Sequence, residues 1–101
     1  MAPRFKIKPQ NPTEVAEGYS IMLHCMATGD PIPTIKWDKN GEMIVLDTER
    51  FEFFENGSLL LRYVREGDKG IYGCTAGNSG GLKREEALLV VKGMSQLIFF
   101  S

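Results

Sequence analysis

Apolar and polar side chains alternate in short runs along this chain, and turn-forming residues interrupt them at close intervals. The interruptions fall at Pro9 and Pro12, Glu17-Gly18, Gly29-Asp30-Pro31-Ile32-Pro33, Asn40-Gly41, Asn56-Gly57, Gly67 and Gly80-Gly81. Helical periodicity is weak throughout. A period of two with this punctuation predicts an antiparallel all-β domain. Residues 5–8 read as a first strand that Pro9 and Pro12 end. Residues 20–26 read as a second, with Ile21, Leu23 and Cys25 on one face and Met22 and His24 on the other. Residues 34–39 form a third, with Ile35 and Trp37 inward and Lys36 and Asp38 outward. Asn40-Gly41 favours a tight turn because both residues tolerate positive φ. Residues 44–46 and 50–54 are less regular and read as short edge strands. Residues 58–63 follow the Asn56-Gly57 turn with Leu59 and Leu61 inward. Residues 70–78 place Tyr72, Cys74 and Ala76 on one face, and 82–92 close the set with Ala87, Leu89 and Val91 inward.

The chain has 101 residues, enough for one domain with a single core. Hydrophobic content of 43% and charged content of 25% are ordinary for a globular domain. Twelve basic and thirteen acidic residues give a net charge of −1, so no charge imbalance invites nucleic acid or an anionic membrane, and neither is expected as a partner. The two cysteines and the one histidine have no zinc-ligand spacing, so no metal and no other cofactor are expected. His24 alternates with Cys25 and is expected at the surface. No nucleophile, base and orienting group recur together, so neither an enzyme nor a small-molecule substrate is expected. The glycines from Gly77 to Gly81 lack the Lys-Ser/Thr and the helix of a phosphate loop, and read as a hairpin turn. Met1-Ala2-Pro3-Arg4 lacks the apolar core of a signal peptide, and a lone domain beginning there reads as part of a longer chain.

Two distant cysteines form either a disulfide or a pair of buried thiols. Cys25 and Cys74 both lie in inward rows. Strands from facing sheets can bring them within bridging distance, with the Trp37 indole packed on the sulfurs. A further regularity surrounds the second cysteine: in Gly67-Asp68-Lys69-Gly70-Ile71-Tyr72-Gly73-Cys74, every second residue from Asp68 shares one face. An aspartate beside a buried cysteine, and a tyrosine whose hydroxyl needs a partner, call for an explanation that alternation alone does not supply.

Cys25, Trp37 and Asp68-x-Gly70-x-Tyr72-x-Cys74, in this order, resemble the immunoglobulin fold. Gly29-Asp30-Pro31-Ile32-Pro33, Leu59-x-Leu61-x-x-Val64 and Ala76-x-Asn78-x-x-Gly81 resemble its intermediate set, the I-set, over about residues 3–92. That set occurs in adhesion molecules, receptor ectodomains and giant muscle proteins. The resemblance implies a Greek-key sandwich of two antiparallel sheets over residues 1–92, followed by a tail or linker at 93–101. It implies that Cys25 and Cys74 form the inter-sheet disulfide and that Trp37, Tyr72 and Leu61 belong to the core. It also implies that the Tyr72 hydroxyl bonds back to the chain near the preceding turn, and that Asp68 pairs with Arg50 at the base of the sandwich. The stretch from Glu55 to Val91, with Ala76-Gly77-Asn78-Ser79 and Glu86-Ala87-Leu88, is similar to the membrane-proximal immunoglobulin domains of off-track-type receptor pseudokinases. These are single-pass neuronal and polarity receptors related to protein tyrosine kinase seven.

The function this implies is that of a non-catalytic extracellular module of a cell-surface receptor. It would serve adhesion or recognition and signalling of the axon-guidance, Wnt or semaphorin type, with an inactive kinase elsewhere in the parent chain. Expected partners are proteins: neighbouring immunoglobulin domains, receptor or ligand ectodomains, or a second copy. The alternative is an intracellular spacer domain of a titin-like muscle or cytoskeletal protein with reduced cysteines. Asn56-Gly57-Ser58 is an N-glycosylation sequon on a turn. Met22 and Leu60, outward on adjacent strands, with Ile44 and Val45 near an edge, are a candidate contact patch. Leu97-Ile98-Phe99-Phe100 in the tail is too short to span a membrane.

Overall fold

A computed structural model of the chain describes residues 1–44 and 49–93. It is all-β apart from one turn of 3-10 helix at Glu66–Asp68. The described residues form ten strands, in order: β1 Arg4–Ile7, β2 Thr13–Ala16, β3 Ile21–Leu23, β4 Met26–Thr28, β5 Thr34–Lys39, β6 Glu42–Met43, β7 Phe51–Phe53, β8 Leu59–Leu61, β9 Gly70–Asn78 and β10 Gly81–Lys92. One layer is the five-stranded sheet β2-β10-β9-β5-β6. The other combines the three-stranded sheet β3-β8-β7 with the pair β1-β4. Val15, Leu23, Leu59, Leu61, Val64 and Leu89 fill the space between the layers with the cysteines, Trp37 and Tyr72.

The hairpins follow their turn residues. Asn40, at φ 52°, and Gly41, at φ 86°, make a two-residue turn that pairs Lys39 with Glu42. Asn78 pairs with Gly81 across Ser79-Gly80, which joins β9 to β10. Among the described residues the pairings are antiparallel except that of β2 with β10, where Thr13 lies beside Leu89 and Val15 beside Val91 in parallel register.

Three features depart from the sequence expectation. The alternation over residues 20–26 predicts one strand, but the chain leaves its ladder at His24-Cys25 and continues as β4 against β1. The cause lies in the facing hairpin. β8 begins at Leu59, and the position that would pair with Cys25 is the turn glycine, Gly57, so β3 runs out of partner there. The pattern also assigns no strand to residues 13–16, which form the parallel edge strand β2. Ile44, expected near an edge in the candidate contact patch, is half-buried and packs one side against the core beside β5, with its N–H donating to the Trp37 carbonyl at 3.2 Å. Val45 lies outside the described residues, as do 94–101.

Candidate functional site

At the centre of the sandwich Cys25, between β3 and β4, is bridged to Cys74 on β9, with the Cα atoms 6.6 Å apart. Both cysteines are buried. Trp37 lies directly across the ladder from Cys74, so its indole shares the inward face with the sulfurs. Its ring N–H is satisfied: Nε1 donates to the Gly57 carbonyl at 2.8 Å. One bond therefore ties the core indole to the loop between β7 and β8. Gly57 sits at φ +105°, and a Cβ there would come within 2.3 Å of the Cys25 carbonyl oxygen. Glycine is needed at this position for conformation and for space.

At the base, Asp68 closes the 3-10 turn. Its Oδ2 accepts the Arg65 N–H at 2.8 Å and pairs with the Arg50 guanidinium just ahead of β7. Both side chains of the pair are largely buried, at 16% and 8% exposed. The Asp68 carbonyl accepts the Tyr72 hydroxyl at 2.6 Å. Burial first, and the nearby Asp68 charge second, push the Tyr72 phenol well above its ordinary pKa and keep it neutral. The row Asp68-Gly70-Tyr72-Cys74 thus runs from a base ion pair through a hydrogen-bonded phenol to the bridge. Asp68 and Tyr72 are both engaged in structural bonds.

The opposite pole is gathered by Asn78. Its Nδ2 donates to the carbonyls of Met1 and Pro31, at 2.7 and 2.9 Å, and its Oδ1 accepts the Gly80 N–H. The side chain joins the chain's N-terminal segment, the loop before β5 and the last hairpin turn.

The outer faces carry the remaining candidates. Met22 and Leu60 are cross-strand partners on the three-stranded sheet, both half-buried, with Glu52 across from Leu60. Glu52 is held by Arg62. His24 is exposed, with Nδ1 3.4 Å from the Ser58 hydroxyl. Asn56 is exposed at the tip of the β7–β8 hairpin.

The sequence pattern missed one cluster, on the outer face of the five-stranded sheet. Arg84 lies flat across Gly73 and binds both carboxylate oxygens of Asp38, at 2.7 and 3.2 Å, as well as Glu86. These hydrogen bonds, Asp38 first, raise its pKa further and hold it charged. Ile71 and Leu88, paired across β9 and β10, lie half-exposed on the same face. The available signal was Gly73 and Gly77 at outward positions of a strand, where the missing side chains let neighbours lie across the backbone.

The disulfide, the indole, the phenol bonded to the turn and the base ion pair occur together in a two-layer sandwich. The family model for the immunoglobulin I-set domain matches residues 3–91. The chain is an immunoglobulin I-set domain. As an I-set domain it has a non-catalytic fold. It is 52% identical over 97 residues to "Tyrosine-protein kinase-like otk" of Drosophila willistoni, covering 91% of this chain and 9% of that relative. Among solved structures it superposes on Drosophila OTK extracellular domains 3-5 with a TM-score of 0.86 at 50% identity. That match covers 90% of this chain and 32% of the other. A titin M10 and obscurin-like 1 immunoglobulin complex matches at TM-score 0.84 and 32% identity, covering 91% of this chain and 95% of that one. The chain spans about a tenth of the length of the off-track relative, and it is similar to an immunoglobulin domain of an off-track-like receptor.

Proposed function

We propose that this I-set domain is an extracellular recognition or spacing module of an off-track-type cell-surface receptor, working through protein contacts. The observation that carries the reading is the Cys25–Cys74 bridge inside a domain half identical to extracellular domains of off-track. Disulfides persist in oxidising compartments and are rare in the cytosol. The likeness to the titin complex keeps the fold compatible with an intracellular spacer, and sulfur state separates the two.

In this reading the parent chain is a single-pass membrane protein. Its signalling, of the axon-guidance, Wnt or semaphorin kind, is carried by segments outside these residues. The Met22–Leu60 strip is the surface presented to a protein neighbour, a flanking immunoglobulin domain or a second copy. Two tests follow. When the chain is secreted behind a signal peptide from eukaryotic cells, alkylation without reduction should leave Cys25 and Cys74 unmodified. Two alkylated thiols in the native protein would favour the intracellular reading. Sedimentation of wild type against Leu60→Lys should show weaker association in the variant, and identical monomers at high concentration would remove the strip from the account.

A further inference from the structure

The β7–β8 hairpin has a defined tip. The Gly57 N–H donates to the Phe54 carbonyl and the Phe54 N–H to the Ser58 carbonyl, both at 2.9 Å. With Gly57 at φ +105°, this is a three-residue loop ending in a glycine bulge. Within it Asn56 accepts the Ser58 N–H on Oδ1 at 2.9 Å, which engages that oxygen of an exposed side chain whose other polar atom is Nδ2. Two residues earlier is Phe54, 39% exposed, beside Phe53 at 42%. Both phenylalanines line a shallow groove of about 270 Å³ that runs along Trp37 and Gly57. The tip therefore combines a sequon asparagine with a partly exposed aromatic ring two positions away, at the end of a hairpin fixed by the Trp37–Gly57 bond.

We propose that Asn56 carries an N-linked oligosaccharide whose first N-acetylglucosamine packs the C–H face of its ring on Phe54. An aromatic ring offers an apolar, electron-rich face, and the axial C–H groups of a sugar are its complement. The sugar covers an exposed ring at the position where the turn holds the acceptor. In the transfer, the Asn56 amide nitrogen forms a bond to the anomeric carbon of a polyprenyl-diphosphate-linked oligosaccharide. The anomeric C–O bond breaks, the diphosphate leaves with its electron pair, and the nitrogen loses one proton. Ser58 is 3% exposed and its N–H is engaged by the loop, so the transferase must act before the hairpin closes. The inference rests on the extracellular reading, since the donor and transferase belong to the secretory pathway.

The test secretes the 101-residue chain from eukaryotic cells behind a signal peptide. Intact mass and thermal unfolding are measured before and after a deglycosylating amidase, which leaves Asp at position 56. The same is done for Phe54→Ala and for Phe54→Leu, the latter keeping apolar bulk without the ring. The expected result is a glycan on Asn56 that raises the unfolding midpoint by about 3–6 °C over the amidase-treated protein. That difference should collapse in both Phe54 variants. Secreted, bridged protein with Asn56 unmodified overturns the proposal, as does an equal midpoint gain in wild type and both variants. Retention inside the cell with Cys25 and Cys74 as free thiols overturns the extracellular reading, and the proposal with it.

Discussion

Asp68 is bonded through both its carboxylate and its carbonyl, so one residue links the start of β7, the 3-10 turn and β9. Asp68→Ala strips the partner from a largely buried guanidinium and removes the acceptor of the Arg65 N–H. The expected loss is about 3 kcal/mol, read as a lower urea midpoint. An unchanged midpoint would contradict the role of the pair. Tyr72→Phe leaves the ring in place and the Asp68 carbonyl without its donor, and should cost about 1–2 kcal/mol. The same residue gives a pH signature. Its folded pKa is raised above the unfolded value, so the contribution is fully present below that unfolded value of about 10 and is lost as pH climbs beyond it. Stability measured from pH 9 upward should therefore fall more steeply in wild type than in Tyr72→Phe. These residues were legible because each sits at a strand period from Cys74 and the family signature names them. Asp38 and Arg84 were not, because their contact runs across three strands between positions far apart in sequence.

At the scale of elements, the two Asn-Gly turns look alike in sequence and differ in structure. Gly41, at φ 86°, has no atom within 4 Å of the place a Cβ would take, whereas at Gly57 a Cβ would strike the Cys25 carbonyl. Gly41→Ala should cost about 1 kcal/mol from backbone strain alone. Gly57→Ala must also push apart the β3–β4 junction and the bond to Trp37, and should cost at least about 3 kcal/mol. Equal losses by chemical denaturation would show that the close approach is not rigid. Turns and central strands were readable because their residue types or their alternation mark them. The edge was not. Thr13–Ala16 is four residues with a parallel partner at the far end of the chain, and no local pattern encodes that pairing. The split of residues 20–26 into β3 and β4 depends on where the opposing hairpin turns, a tertiary fact invisible in the alternation. Ile44 shows the same limit: beside an edge its neighbours in space decide its side, and it is half-buried against the core.

For the whole molecule, the Cys25–Cys74 bridge spans a sequence separation of 49 residues and joins the two layers at their centre. Closing a loop of that size stabilises by about 4 kcal/mol in the chain-entropy model, against a total of about 5–15 kcal/mol for a domain. Fold and family follow from this bridge and the residues around it, while ligand and contact face depend on surface chemistry that the fold does not choose. The direct measurement is the unfolding free energy of the secreted chain, determined with the bridge intact and after reduction and alkylation, with mass spectrometry assigning the sulfurs. Cys25 and Cys74 should be unalkylated in the native protein, and opening the bridge should cost about 4 kcal/mol. Free thiols in the native secreted protein, or equal stability in the two forms, would contradict it.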